Sequence, residues 1–219
     1  MFRVLAATVT ALVVVAGVWV TGAVLTNDAT VAMLLTGAWF GLAGGLAVLV
    51  AWRRRWLAAP VLGAWLVTST VVGGFLLWTS SVDRVADEEV VNAPTADGTP
   101  APSESMEPAA VTEAAGPRLL AGGRFRDGAH PTSGRAALVE RPDGTRVLTL
   151  TRFDTDPGPD LRVYVVPGGG SSVDGAVDLG ALKGNKGDQQ YAVPSSAPDG
   201  AVVIWCRAFS VAFGSARLA

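Results

Sequence analysis

The sequence AVVIWCRAFSVAF, residues 201–213, decides how the second half of the chain is interpreted. It is rich in β-branched and aromatic residues, contains no glycine or proline, and follows a turn signal at Pro198-Asp199-Gly200. Such a run predicts one long strand, or two short ones, in a packed β domain. Because side chains alternate along a strand, Trp205 and Cys206 point to opposite faces, and both faces are largely apolar. This pattern is typical of a central strand with a packed layer on each side.

The same β character extends over residues 118–219. Short strand-like runs are separated by Pro, Gly and Asp turn signals about every ten residues, which predicts an all-β sandwich or barrel-like domain. The segments 168–170 and 184–187 are interpreted as turns, because they lack the spacing of a phosphate-binding loop. The domain shows no long amphipathic helix and no βαβ unit, so a dinucleotide-binding fold is excluded.

The first 78 residues have a different composition. Three uncharged apolar runs cover residues 4–25, 31–52 and 56–78. As helices, each run reaches about 33 Å, enough for the ~30 Å hydrocarbon core of a bilayer. We therefore predict three transmembrane α-helices. The first run is longer than the apolar region of a signal peptide, which argues against cleavage.

Basic residues flank these runs asymmetrically. Arg3 precedes the first run and Arg53, Arg54 and Arg55 separate the second from the third, whereas Asp28 is the one charge between the first and second. The positive-inside rule then places the N-terminus in the cytoplasm and the residues after Trp78 outside. We expect a multi-pass protein of the cell membrane with an extracytoplasmic C-terminal domain.

The helical part is interpreted as an anchor in the lipid bilayer, because no ionisable residue lies within the runs. Gly37, Gly41 and Gly45 stand four residues apart, a spacing that permits close helix packing within the chain or between copies. The alternative is that glycine is simply common in membrane spans. A homo-oligomer through this face is one expected partner arrangement, and no nucleic-acid partner is expected.

Residues 79–117 join the two parts and read as a disordered linker. Five prolines are scattered among Ala, Thr and Ser, and eight carboxylates stand against Arg84 alone. Such a segment cannot bury enough apolar surface to order itself. We predict an acidic tether that holds the domain away from anionic lipid head groups.

The β domain offers few metal ligands. It contains one cysteine, Cys206, and one histidine, His130, whereas a structural zinc site needs four such ligands and a blue copper site needs three. No metal site and no resident cofactor are therefore expected. A haem held by a single ligand, or supplied by a partner, stays open. Asp154, Asp156 and Asp160 are expected to cap a turn rather than bind calcium.

Cys206 is the one cysteine of the chain. Extracytoplasmic domains normally pair their cysteines, so an unpaired thiol there indicates chemistry. A free cysteine is equally often a small, buried and inert hydrophobic residue. The residues alone leave both interpretations open.

Several linked motifs, in one order from about Leu119 to Leu218, are similar to the DM-thirteen family, described as a predicted electron-transfer domain. The resemblance leaves out the apolar runs and the linker. The motifs are Gly123 with Phe125, His130 and Gly134, Leu150 and Phe153, Gly158-Pro159-Asp160-Leu161, Val163-Tyr164-Val165, Asp178-Leu179-Gly180, Leu182-Lys183-Gly184-Asn185, Gly187, Gln189 and Tyr191, Val203-Ile204-Trp205-Cys206-Arg207 with Phe209, and Phe213-Gly214 with Ala216.

The resemblance implies a β-rich extracytoplasmic domain whose cysteine, here Cys206, is redox-active. Trp205, Tyr191 and His130 are supporting candidates, and the implied partner is another membrane or extracytoplasmic redox protein. The chain is expected to be an electron-transfer or accessory module rather than a stand-alone enzyme. The competing hypothesis is a non-catalytic binding or surface-interaction module in which Cys206 is only structural.

Overall fold

A computed structural model describes residues 1–25, 29–91 and 116–219 of the chain. The first part consists of three helices, each long and apolar enough to cross a membrane, which confirms the three predicted apolar helices. Helix α1 is Phe2–Trp19 and continues as a π-helical segment over Val20–Val24. Helix α2 is Ala29–Arg53, and α3 is Ala58–Thr79, preceded by one 3₁₀ turn at Arg55–Leu57.

Tryptophan side chains seated on glycines pack the three helices. A Cβ atom at Gly17 of α1 would overlap the indole of Trp39, and one at Gly44 of α2 would overlap that of Trp65. The Trp39 Nε1 donates a hydrogen bond to the carbonyl of Val14 at 3.2 Å. These glycines let the backbones approach closely while the indole N–H group finds an acceptor in an apolar setting.

Gly37, Gly41 and Gly45 have no such role within the described chain. Nothing lies within 4 Å of a Cβ atom built at any of the three. The face they form on α2 is exposed. Homo-oligomer formation through it stays a prediction.

The second part is a domain of two five-stranded sheets, which confirms the predicted all-β class. The strands are β1 Val85–Asp87, β2 Arg118–Arg124, β3 Arg126–Asp127, β4 Thr132–Glu140, β5 Arg146–Thr155, β6 Leu161–Pro167, β7 Val177–Ala181, β8 Lys186–Val193, β9 Gly200–Cys206 and β10 Val211–Arg217. One sheet has the order β1-β8-β5-β4-β2 and the other the order β3-β10-β9-β6-β7.

The apolar run at residues 201–213 forms two short strands rather than one long one. Strands β9 and β10 are antiparallel neighbours, with Cys206 opposite Val211, and the turn Arg207–Ser210 joins them. Ser210 takes a φ of 48°, in the left-handed region. Because the turn reverses the chain, Val211 and Phe213 return to the same apolar core as Cys206, contrary to the alternation of a single strand.

Strand β7 was not predicted and the start of β8 was interpreted as a turn, because both stretches are poor in β-forming residues. Strand β7 contains Asp178 and Gly180, and it pairs with β6 through an irregular register at a glycine with φ of 116°. Strand β8 begins at Lys186, inside the segment interpreted as a turn. Gly187, with φ of 97°, supplies the backbone conformation that β-branched residues avoid.

The predicted linker begins too early. Helix α3 ends at Thr79, and Val85–Asp87 forms strand β1, which pairs in parallel with β8. We call residues 82–91 the strap. It places the domain directly at the end of α3, so residues 79–91 are not a tether. The remaining linker prediction falls on residues 92–115, which lie outside the described part of the chain.

The β domain also contacts the helices through the turn between β9 and β10. Phe209 of this turn lies against Gly22 of α1, where a Cβ atom would be 3.2 Å from the ring. Ala32 of α2 belongs to the same buried apolar cluster as Phe209, and Leu76 of α3 packs against that cluster. We call this contact the junction. The helix ends thus complete one side of the core of the domain.

Candidate functional site

Cys206 is the last residue of β9 and lies in the core between the two sheets. Its exposed fraction is 0%. In the sheet it is flanked by Leu161 of β6 and Val211 of β10, both buried. The thiol is free, because the chain holds no second cysteine with which it could form a disulfide.

The surroundings of the sulfur act on its pKa in opposite directions. Burial raises the pKa of the Cys206 thiol, since the thiolate loses its hydration. The backbone amides of Phe209, Asp160 and Ala208 pull this pKa down, while the carboxylate of Asp160 raises it further. Burial dominates, so the neutral thiol is favoured more strongly than in a solvated cysteine. Reaction as a nucleophile would require the sulfur to gain access to water or to a partner.

Arg207 anchors the turn to the loop before β6. Its backbone N–H donates to the carbonyl of Asp160 at 2.9 Å, and its Nε donates to the Asp160 carboxylate at 2.8 Å. The side chain of Arg207 is 60% exposed. Arg207 is therefore ion-paired with the carboxylate that raises the pKa of the thiol, and it fixes the turn that follows Cys206.

Trp205 lies on the opposite face of β9 and belongs to a second, smaller apolar cluster. That cluster is centred on Val166, Ala201 and Val203, with Tyr164 and Trp205 packed against it. Trp205 is half-buried and lines an open groove of about 500 Å³, together with Asp127, Ser171 and Ser215 among others. Trp205 and Cys206 are therefore adjacent in sequence but sit in different environments.

Tyr191 of β8 lies in the same core cluster as Cys206. Its hydroxyl donates to Gln189 Oε1 at 2.7 Å and accepts from the backbone N–H of Lys183 at 3.0 Å. Burial raises the pKa of Tyr191 to about 12, with Glu88 adding to the rise against the opposing effect of the Lys183 amide. The phenol is thus a neutral, hydrogen-bonded core group.

Gln189 is a site residue whose role sequence reasoning missed. It is fully buried, and its Oε1 accepts from Tyr191 and from the amides of Lys183 and Gly184. Its Nε2 donates to the carbonyl of Gly184 at 2.8 Å. The buried side-chain amide of Gln189, with both polar atoms hydrogen-bonded, therefore joins β8 to the segment at Lys183 and Gly184 that precedes it. A glutamine in an alternating strand gives no sequence signal for this.

His130 lies in the loop between β3 and β4. Its Nδ1 is 2.9 Å from the Asp156 carboxylate, and its ring stacks on Phe213 with centroids 3.9 Å apart. Phe213 belongs to the core cluster that contains Cys206 and Tyr191. The structure therefore connects Cys206, Tyr191 and His130 to one core, and leaves Trp205 on the other face.

Two of the carboxylates considered as calcium ligands pair with different basic residues. Asp156 pairs with His130, whereas Asp160 pairs with Arg207. Within the described residues, no group of three His, Cys, Asp or Glu side chains could hold a metal ion. A small cavity of about 110 Å³ lies between the strap and the loops before β6 and β8, with Arg84, Asp160 and Asn185 in its lining.

Three long apolar helices joined to a two-sheet β domain define the class: an all-β module on a helical anchor that fits a lipid bilayer. More particularly, residues 124–218 match the DM13 family, described as Electron transfer DM13. The match runs from the last residue of β2 through β10 and confirms the resemblance found in the sequence. No curated protein and no solved structure shows significant similarity to the chain.

Proposed function

We propose that the protein is a membrane-anchored, extracytoplasmic electron-transfer module whose redox group is the thiol of Cys206. The family description supports electron transfer. The position of the arginines supports the extracytoplasmic side. Arg53 ends α2 and is followed by Arg54 and Arg55, at the end of the helices away from the β domain, where the positive-inside rule expects the cytoplasm.

The observation that carries the cysteine assignment is its position. Cys206 stands where β9 enters the turn that meets the helices, and the amides of Phe209, Asp160 and Ala208 act to favour its thiolate. Backbone N–H groups around a sulfur are a recurring way to stabilise a thiolate.

A single thiol restricts the chemistry. Cys206 cannot form a disulfide within one chain. Its reversible route is a mixed disulfide: the Cys206 thiolate attacks a disulfide of a partner protein, one partner sulfur leaves as a thiolate, and a second thiol reverses the step. The partner is thus a dithiol/disulfide protein of the membrane or the extracytoplasmic space.

The test is a thiol–disulfide titration of the full chain in detergent, with Cys206→Ser as the control. We expect a mixed disulfide with a small disulfide probe that forms on the wild type, is reversed by dithiothreitol, and is absent from the variant. An absorption spectrum of the same preparation checks the haem alternative by its Soret band. A thiol that stays reduced at every probe concentration would contradict the assignment.

Burial favours a second candidate, a non-catalytic binding module in which Cys206 only packs. The 0% exposure of the residue and the raised pKa of its thiol are what a structural cysteine would show. This candidate predicts that Cys206→Ala lowers stability but leaves partner binding unchanged. Pull-down from solubilised membranes with wild type and variant separates the two.

A further inference from the structure

The turn Arg207–Ser210 covers one side of Cys206 and is itself covered by the helices. Phe209 is 7% exposed, although it occupies a turn rather than a strand. Its ring lies against Gly22, which is buried, and a Cβ atom at Gly22 would also lie 3.4 Å from the Ala208 carbonyl oxygen. Gly22 thus leaves the space into which the turn fits.

The other two helices contribute to the same contact. Ala32, near the start of α2, is 0% exposed and shares the apolar cluster of Cys206 and Phe209. Leu76, one turn before the end of α3, packs against this cluster. The seal over the turn therefore comes from a part of the chain outside the β domain.

The strap keeps the domain in place over the helix ends. Asp83 accepts from Lys186 at 2.8 Å, and Glu88 accepts from Lys183 at 2.7 Å. These pairs are 34–47% exposed and hold a strand of three residues. Exposed ion pairs contribute little individually, so the attachment depends mainly on the pairing of β1 with β8.

We propose that the helix ends act as a lid on Cys206, whose thiol becomes accessible when the turn Arg207–Ser210 lifts from Gly22 and Ala32. This inference rests on the proposed function in treating the thiol as the functional group, and it adds the control of access to it. Lifting the turn also moves the amides of Ala208 and Phe209. The exposure of the sulfur and its interaction with these two amides therefore change together. Such local opening is distinct from global unfolding.

The test measures the rate at which N-ethylmaleimide labels the full chain in detergent under native conditions. Cys206 is the sole cysteine, so the label reports on this residue alone. Gly22→Leu fills the space that the turn occupies, and Phe209→Ala removes the ring that seals it. We expect both variants to be labelled about tenfold faster or more, because labelling follows the population of the open state.

Two matched controls separate lid opening from general loosening. Gly63→Leu adds the same side chain to α3 where nothing lies within 4 Å of a Cβ atom. Phe125→Ala removes a ring of equal exposure, 7%, from the same core cluster but away from the turn. Gly63→Leu should label at the wild-type rate, and Phe125→Ala should accelerate labelling less than Phe209→Ala at matched stability.

Equal labelling rates for Gly22→Leu and Gly63→Leu, or for Phe209→Ala and Phe125→Ala, would overturn the lid. Failure of the proposed function gives a different result. If labelling accelerates as expected but the opened variants form no reversible mixed disulfide with the small probe, the lid stands and the redox role of Cys206 is wrong. If the disulfide forms equally fast in all variants, the thiol is functional and the lid is wrong.

Discussion

The two faces of strand β9 differ in what covers them. The core face, which carries Val202, Ile204 and Cys206, packs against the other sheet and is closed at one end by the helices. The groove face carries Val203 and Trp205. It is covered by Val173 and Ala176 of the β6–β7 connection, which pack against the same small apolar cluster. One face is thus completed by two layers of regular structure, and the other by a loop and an open groove.

This difference places the consecutive residues Trp205, Cys206 and Arg207 in three different environments. Cys206 faces the core, Trp205 faces the groove, and Arg207 is ion-paired with Asp160. A partner that binds in the groove can touch the indole but not the sulfur. In the lid proposal, access to the sulfur comes from the junction, where the turn meets the helices.

The largest expected effect compares Val202→Ala with Val203→Ala. Both valines are 0% exposed, but Val202 lies on the core face and Val203 on the groove face. Removing two methyl groups from the core face should cost about 2–3 kcal/mol, because the facing sheet limits the collapse of the cavity. On the groove face the loop can relax into the space, and we expect about 1–2 kcal/mol.

The loss of stability of the two variants is measured by thermal unfolding of the full chain in detergent, monitored through the circular dichroism of the sheets. The two variants remove the same atoms from adjacent positions, so each is the control of the other. Equal losses of stability would show that the groove face is as rigidly covered as the core face.

An intermediate effect is expected for Cys206→Ser. The hydroxyl is more polar than the thiol and enters a site with no exposure, so it should destabilise by about 1–2 kcal/mol. Trp205→Phe on the groove face keeps an aromatic ring and should cost less than about 1 kcal/mol. The same unfolding measurement applies. A serine tolerated without loss would mean that the site is hydrated, which would contradict the sealed core face.

Much of this arrangement could be predicted from the sequence. Three uncharged runs of more than twenty residues predicted the three helices, and turn signals between strand-like runs predicted the β domain. Cys206 and Trp205 were placed on opposite faces by alternation alone. Strand β7 was missed and the start of β8 was interpreted as a turn, because their glycines adopt positive φ values that a strand pattern does not encode.

The junction and the strap could not be predicted, because both depend on distant parts of the chain. Asp83 and Glu88 look like solvated charges of an acidic linker, and their lysine partners lie about a hundred residues later. In the sequence, Gly22 is indistinguishable from any other glycine of a membrane span. Only the structure shows that Phe209 packs against it. Hydrophobic periodicity reports which faces are apolar, but not which of them meet.

The smallest expected effect concerns the strap, which keeps the core face of β9 closed at the junction. The hydrogen bond from Lys183 holds the pKa of Glu88 below its ordinary value of 4.5. A carboxyl with a depressed pKa in the folded state stabilises the fold above 4.5, and this contribution is lost as the pH falls through the folded-state pKa. Because the Glu88 side chain is 34% exposed, solvent screening limits the contribution to less than about 1 kcal/mol.

Glu88→Gln should therefore lower the thermal midpoint of the full chain at neutral pH, and the difference from wild type should shrink as the pH falls below 4.5. Glu140→Gln is the matched control, since it removes an exposed carboxylate paired with Arg118 at 2.9 Å, away from the strap. Faster maleimide labelling of Cys206 in Glu88→Gln, but not in Glu140→Gln, at one neutral pH would connect the strap to the core face. Identical labelling in both would show that the apolar junction alone keeps the thiol covered.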